Sequence, residues 1–440
     1  MTLENASPRQ LTWREGFALY LRPRLLVITA QGFASGIPLG LVYGTFGYWL
    51  SLLNISAGSI GLFTAVALPY TVKFLWAPFI DHVPLPILHK LLGRRRSWLL
   101  VIQLALALSI AAMGFVDPRN SLLVAGIAAL VMSFFGASQD IVIDAYRIEI
   151  LAPEEQGAGA AATQTGSKLG SLVTGAGALV LSDHIGWAVI FLATASFILL
   201  SAAITLIAPQ SPDLRQEADH HGYRAWLDVA VVQPFLDFAR RRGWIVILAF
   251  VLLYKYGDAI GGGMAYKFYH DMGFTGTEIA EVSKIFGVIM SFAGTIVGGV
   301  VVARIGIFRS LLIGGVLQAV TNFGFCYVAM RGHDILALHL AIGLDNFAGG
   351  AAAAAFVAYL SSLTHIAYTA TQFALFTSFM AFGRVVLALP GGAIVEEIGW
   401  ANFYALTVLL AVPGMLLLLW LSRLYPDRQR ANRESEAEVF

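Results

Sequence analysis

Apolar runs recur from one end of the chain to the other, separated by short polar stretches. Each is long enough to cross a hydrocarbon core of about 30 Å as a helix. Spans are expected at Leu25 to Leu50, Ser59 to His82, Trp98 to Val116, Ser121 to Tyr146, Gly157 to Leu181 and Trp187 to Ile207. Six more follow at Gly243 to Tyr269, Glu278 to Val302, Leu311 to Val328, Ile335 to Leu360, Ala370 to Val395 and Ala401 to Leu421. The long polar segment 208–242 divides them into bundles at 25–207 and 243–422, with tails at 1–24 and 423–440.

The two bundles echo one another. Ala162-Thr163-Gln164 opens the fifth span and Ala370-Thr371-Gln372 the eleventh. Gly175-Ala176-Gly177-Ala178 leads to Gly186-Trp187-Ala188, as Pro390-Gly391-Gly392-Ala393 leads to Gly399-Trp400-Ala401. Matches in the same order on corresponding spans indicate a parallel six-helix repeat. The expected fold is an all-α membrane protein of twelve helices, two six-helix halves related by a pseudo-two-fold repeat around a midplane cavity: the major facilitator architecture.

Composition agrees. The 440 residues are 58% hydrophobic and 12% charged, with mean hydropathy +0.74, too little charge to cover a soluble domain of this size. Outside the spans, twenty Lys and Arg fall on one side and two, Arg119 and Arg331, on the other. Both termini are therefore expected in the cytoplasm. One cysteine, Cys326, excludes an internal disulfide. No metal-ligand spacing, phosphate loop or nucleophile elbow occurs, so neither an enzyme nor a resident cofactor or metal is expected.

Against this apolar background, charges near midspan mark a solute pathway, because an ionisable group in hydrocarbon normally faces a bundle interior or a water-filled cavity. At about 1.5 Å of rise per residue, Lys168, Lys255, Arg384, Asp345 and Asn346 fall within about 6 Å of their span centres, with Lys73 slightly further out. The balance is cationic, which suits an anionic solute. Gln31, Gln139, Gln164 and Gln372 offer partners for sugar hydroxyls, and aromatic residues on the charged spans, Tyr254 among them, offer faces for sugar rings. Lys255 and Asp258, three apart, can instead pair with each other. Asp140 is a candidate proton carrier, with Asp258 second. Asp81, the Arg94, Arg95 and Arg96 run, Asp144 and Arg147 approach one membrane edge and suit a gate; simple positive-inside topology also accounts for the arginine run. Gly32, Gly36, Gly40 and Gly44 form one small face on the first span for close packing, and Pro38 between them offers a hinge.

Several stretches resemble the AmpG-type muropeptide permeases: Gln31 to Leu39, Lys73 to Pro78 with Asp81, Gly93 to Arg96, Ala137 to Ala145, Gly157 to Ala161 and Leu253 to Ala259. The resemblance implies an importer in the bacterial inner membrane, and a monomer is expected. It would bring N-acetylglucosamine-1,6-anhydro-N-acetylmuramic acid carrying a peptide from periplasm to cytoplasm by proton symport and alternating access. That activity serves peptidoglycan recycling and bears on β-lactamase induction. Related permeases carry siderophores or acetyl-CoA, also bulky and anionic or polar, and a non-transporting membrane sensor is a further alternative.

Overall fold

The computed structural model describes residues 12–46, 49–50, 53, 66–182, 184–212, 228–365, 368–388 and 390–425. The first eleven residues, the beginning of the second expected span, most of the linker and the tail after Tyr425 lie outside the described residues. Among the described residues there is no strand.

A short helix, α1 (Trp13–Ala18), opens on a capping box. Thr12 Oγ1 accepts from the Glu15 amide at 3.2 Å and the Glu15 carboxylate accepts from the Thr12 amide at 2.8 Å. The first span, α2 (Pro23–Gly40), begins with Pro23, whose missing amide is harmless there, and passes into a π-helical turn at Leu41–Thr45. The second span appears as α3 (Leu68–Val72) and α4 (Ala77–His82), joined through a 3-10 turn at Lys73–Leu75. It is followed by α5 (Arg94–Met113), α6 (Leu122–Ile150), α7 (Gln156–Leu172) and α8 (Trp187–Ile207). After the linker helix α9 (Gln233–Ala239) come α10 (Trp244–Asp271), α11 (Gly276–Ile305), α12 (Ile307–Arg331), α13 (Ile335–Ser362), α14 (Thr369–Ala388) and α15 (Gly391–Leu424).

Nine helices among the described residues are long and apolar enough to cross a membrane. The others expected to span are helical where described, but the first, second and fifth are broken by π or 3-10 turns. The eleventh span, expected to reach Val395, ends at Ala388, and the chain restarts at Gly391. Pro390 at this junction cannot continue the backbone ladder. Gly399, at φ 73°, breaks α15 again before Trp400.

Packing inside each half rests on two features. The first is an apolar core: Leu106, Ile110, Met132 and Phe191 in the first half, Phe250, Tyr254, Phe356 and Phe376 in the second. The second is glycine contact between helices. A Cβ on Gly32 would lie 2.5 Å from the Thr163 carbonyl, and one on Gly36 would fall onto the Ser167 carbonyl. In return, Gly166 and Gly170 of α7 meet the Thr29 and Phe33 carbonyls. Backbones this close gain dispersion contacts that larger residues would exclude. The outer surface carries Leu108, Leu123, Ile245, Leu409 and Leu416 exposed, as a lipid-facing surface requires.

This packing sets an expectation. Gly36→Val should lower thermal stability of the purified protein by about 1–3 kcal/mol through overpacking. Gly175→Ala, where an added Cβ meets nothing within 4 Å, should stay within about 0.5 kcal/mol. Equal melting of the two variants would contradict the proposed α2–α7 contact.

Candidate functional site

At the face where the arginines cluster, called here the basic face, two arginines and two acids are buried together. Arg95 reaches Glu149 through Nε at 3.0 Å and Nη2 at 2.6 Å, and reaches Asp81 Oδ1 through Nη2 at 2.7 Å. Arg94 Nη2 donates to the same Glu149 at 3.2 Å. Both Arg95 and Asp81 have fully buried side chains. The remaining oxygen of Asp81, Oδ2, accepts from the Thr371 amide at 2.8 Å and the Thr371 hydroxyl at 2.7 Å. Thr371 belongs to the second half, at the start of α14, where the helix has unsatisfied amides and a partial positive charge. An acid of one half thus caps a helix of the other.

Arg147, fully buried, adds a second tie across the halves. Its Nη2 donates to Ser361 Oγ at 3.0 Å and its guanidinium lies 5.4 Å from the centre of the Phe373 ring. Asp144 stands 3.8 Å away. Nε and Nη1 meet no acceptor among the described residues, so Arg147 is held less firmly than Arg95. Arg96 serves differently: it donates to the Thr205 carbonyl at 3.1 Å and to that of Leu206, closing the end of α8 within its own half. Of the residues expected at a gate, Asp81 and Arg147 reach the second half, Arg94 and Arg95 bind Glu149, Asp144 stands beside Arg147, and Arg96 bonds within its own half.

Away from this face, a cavity of about 580 Å³ lies between the halves. Lys168, Ser171 and Leu172 of the first half line it opposite Val288, Ser291 and Asn346 of the second. It follows the fifth span from Lys168 to Leu179, roughly 15 Å at helical rise, toward the face opposite the lock. Lys168 Nζ donates across the interface to Ser291 Oγ at 2.7 Å and Thr295 Oγ1 at 2.9 Å. Neither is an anion, so this ammonium is hydrogen-bonded while its charge stays available at the cavity floor.

Several expected binding residues are engaged elsewhere. Gln31 sits in a closed ring inside the first half. Gln103 Nε2 donates to its Oε1 at 2.8 Å, Gln31 Nε2 donates to Thr205 Oγ1 at 2.9 Å, and Ser201 Oγ donates to Gln31 Oε1 at 3.0 Å. Gln139 donates to the Ala34 carbonyl at 2.9 Å. Ala34 lies four residues before Pro38, and its carbonyl is the one that proline leaves without a donor. Gln139 therefore completes the first span. Tyr254 is buried in the second half, stacked on Phe356 with ring centres 5.2 Å apart and donating to the Leu311 carbonyl at 2.8 Å. These positions correct the substrate-facing placement expected of Gln31, Gln139 and Tyr254: each has a buried partner within the protein.

Lys255 pairs with Asp258 at 3.1 Å and donates to Gln318 at 2.7 Å, with only about 10 Å³ of free space beside Asp258 and Gln318. Asp345 accepts from Thr321 at 3.2 Å, and Asn346 Nδ2 bonds the Ile342 carbonyl at 3.0 Å while its side chain borders the cavity. Asp140 accepts from Ser35 at 2.6 Å, and the buried Lys73 acts electrostatically on both Asp140 and Asp144. Gln164 is half-buried on α7 and Arg384 is exposed on α14. Sequence reasoning did not single out Glu149, Thr371, Ser361, Ser291 or Thr295. Glu149 was open to notice as an acid two residues beyond Arg147; the hydroxyl residues look like ordinary small packing residues in a span.

Two helical halves with an apolar exterior, a largely apolar cavity between them that carries one lysine, and charged contacts across one face are the architecture of a membrane transporter. The sequence pattern of the Major Facilitator Superfamily matches residues 28–344 and 261–439. The anhydromuropeptide permease of Escherichia coli strain K12 is 38% identical over 91% of this chain and 80% of its own length. The putative transporter AmpG 4 of Rickettsia conorii is 32% identical over 91% of this chain and 96% of its own. The fold is shared with the proton:xylose symporter XylE (TM-score 0.66, 15% identity, 92% and 95% covered) and the human organic anion transporter MFSD10 (TM-score 0.64, 15% identity, 93% and 100% covered). The chain belongs to the Major Facilitator Superfamily and, within it, to the AmpG-type permeases.

The link between Gln139 and Pro38 gives a double-mutant expectation. Gln139→Leu should destabilise by about 1–3 kcal/mol, because the Ala34 carbonyl is left buried and bare. In a Pro38→Ala background the backbone amide returns, and Gln139→Leu should then have a clearly smaller effect. Additive melting shifts would contradict this role for Gln139.

Proposed function

We propose that this transporter imports anhydro-muropeptides, sugar-peptides that carry carboxylates, across the bacterial inner membrane by proton symport. The observation that carries the substrate is the 38% identity to the E. coli anhydromuropeptide permease across 91% of the chain. The cavity fits that chemistry: an ammonium at its floor for a carboxylate, Asn346 and Ser171 for hydroxyls and amides, and an apolar wall of Leu172, Leu179 and Val288. The basic face is cytoplasmic by the positive-inside rule, which places the cavity on the periplasmic side and the closed Asp81–Thr371 contact on the cytoplasmic side. In this reading the protein works as a monomer, each chain holding its own pathway, with bundles at 25–207 and 243–422 rocking about the site.

Uptake of purified anhydro-disaccharide peptide into proteoliposomes, with an inward proton gradient, tests the substrate. Gradient-driven accumulation is expected, and a siderophore or acetyl-CoA in excess should compete poorly. Accumulation of either competitor in place of the muropeptide would overturn the assignment. Within that assay Lys168→Gln should raise KM about tenfold or more, the scale of a hydrogen bond to a charged group, with normal membrane insertion. Unchanged KM would remove Lys168 from the site.

Asp140, held by Ser35 at 2.6 Å beside Lys73, is the leading proton carrier, followed by Asp258 and Asp345. Asp140→Asn should abolish accumulation against a gradient and keep substrate exchange at equal concentrations. Intact accumulation would pass the role to Asp258.

A further inference from the structure

We propose that α1 is a strap: it belongs to the first half by chain, is fastened to the second half at the basic face, and rests its outer side on anionic lipid headgroups. The inference holds whichever solute is carried. Three contacts fasten it. Tyr20, just after α1, donates its hydroxyl to the Ile296 carbonyl of α11 at 2.9 Å. The Arg304 guanidinium of α11 lies 4.6 Å from the centre of the Trp13 ring. Gly16 fits against Val300 so closely that a Cβ there would stand 2.7 Å from Val300 Cγ1. The partner surface is shaped in return: a Cβ on Gly299 would strike the Tyr20 hydroxyl. Gly16 and Tyr20 are four apart, on one side of the segment, and together form its inner side.

The outer side repeats at the same spacing. Phe17 and Leu21 are 44% and 77% exposed and Trp13, half-exposed with Arg304 over its ring, borders both sides, with the exposed cations Arg14, Arg22 and Arg24 around them. Arg22 also pairs with Glu155 and Arg24 with the Ile150 carbonyl, which anchors the base of the strap to the first half. α1 directly precedes the first span on the face that carries the arginines, so its depth is that of the headgroup layer. Aromatic and leucine side chains flanked by arginine are suited to that layer, where each cation adds attraction to anionic lipid. The two sides act together. Opening of the basic face moves α11 away from the first half, so α1 must let go of Tyr20–Ile296 and Trp13–Arg304, and lipid that holds α1 in place opposes that release.

Cysteine labelling of the full chain in nanodiscs tests this. With Cys326→Ser as background, Ala374→Cys serves as reporter: Ala374 is buried on α14 among Ala77, Ile141, Val142 and Ala145 of the first half, and opening of the basic face uncovers it. In nanodiscs containing phosphatidylglycerol, Tyr20→Phe should speed labelling by about fivefold, on the scale of one lost hydrogen bond. Gly16→Leu should speed it further. Replacing phosphatidylglycerol with phosphatidylcholine should speed labelling of the parent, Cys326→Ser with Ala374→Cys, and leave Gly16→Leu unchanged, because its strap is already released. Tyr20→Phe removes a single oxygen and serves where Gly16→Leu fails to fold. Labelling unchanged by Tyr20→Phe would overturn the fastening, and equal parent rates in the two lipids would overturn the lipid contact.

Discussion

A charge that leaves water must find an opposite charge or a full set of hydrogen bonds, and this requirement governs the basic face. Removing one partner from a buried ion pair typically destabilises by about 3–5 kcal/mol. Arg94 and Arg95 are matched by Asp81 and Glu149, so the group is neutral inside the first half. Asp81 still has one oxygen to satisfy, and the donors it uses are the Thr371 amide and hydroxyl of the other half. When the halves part at this face, water must take over that oxygen and the first turn of α14. The closed arrangement is therefore held by a contact that is complete only when both halves are present, and a coupling of about 1–3 kcal/mol is enough to shift the two-state population severalfold or more.

The same requirement ties the helices of the first half to one another. Gln31, Gln103, Ser201 and Thr205 answer one another across α2, α5 and α8, and Gln139 answers the carbonyl that Pro38 exposes. Together with the glycine contact of α2 on α7, these bonds tie the first span to its own half. Turns interrupt the helices beside the cavity: the π turns at Leu41–Thr45 and Val173–Gly177, linked by the Thr45 hydroxyl donating to the Thr174 carbonyl, and the 3-10 turn that carries Lys73.

Much of this was legible from residue order. Hydropathy indicated most of the helices found among the described residues, since lipid demands long apolar helices, though not the break at Pro390, and the arginine count indicated the basic face. Asp81, Arg94, Arg95 and Arg147 could be grouped at one edge because charged side chains at a membrane edge are few, and the structure places them in buried contacts there. The polar residues at midspan were not separable in the same way. A glutamine that lines a cavity and one that pairs with another glutamine look alike in one dimension, so Gln31 and Gln139 were expected in the pathway and are found within the fold. Ser361, Ser291 and Thr295 act through single hydroxyls and Thr371 through its hydroxyl and amide, and such residues are common in spans as small packing residues. Only the approach of a second helix gives them a role.

The central claim is that the buried Asp81–Arg95–Glu149 group keeps the basic face shut through Thr371. Distances between spin labels at Leu91→Cys and Arg309→Cys, one on each half at that face, in a Cys326→Ser background, test it most directly. The parent should show mainly one short distance without substrate, and Asp81→Asn, in protein that remains folded, should transfer much of that population to a longer one. Identical distance distributions in the two proteins would contradict the account.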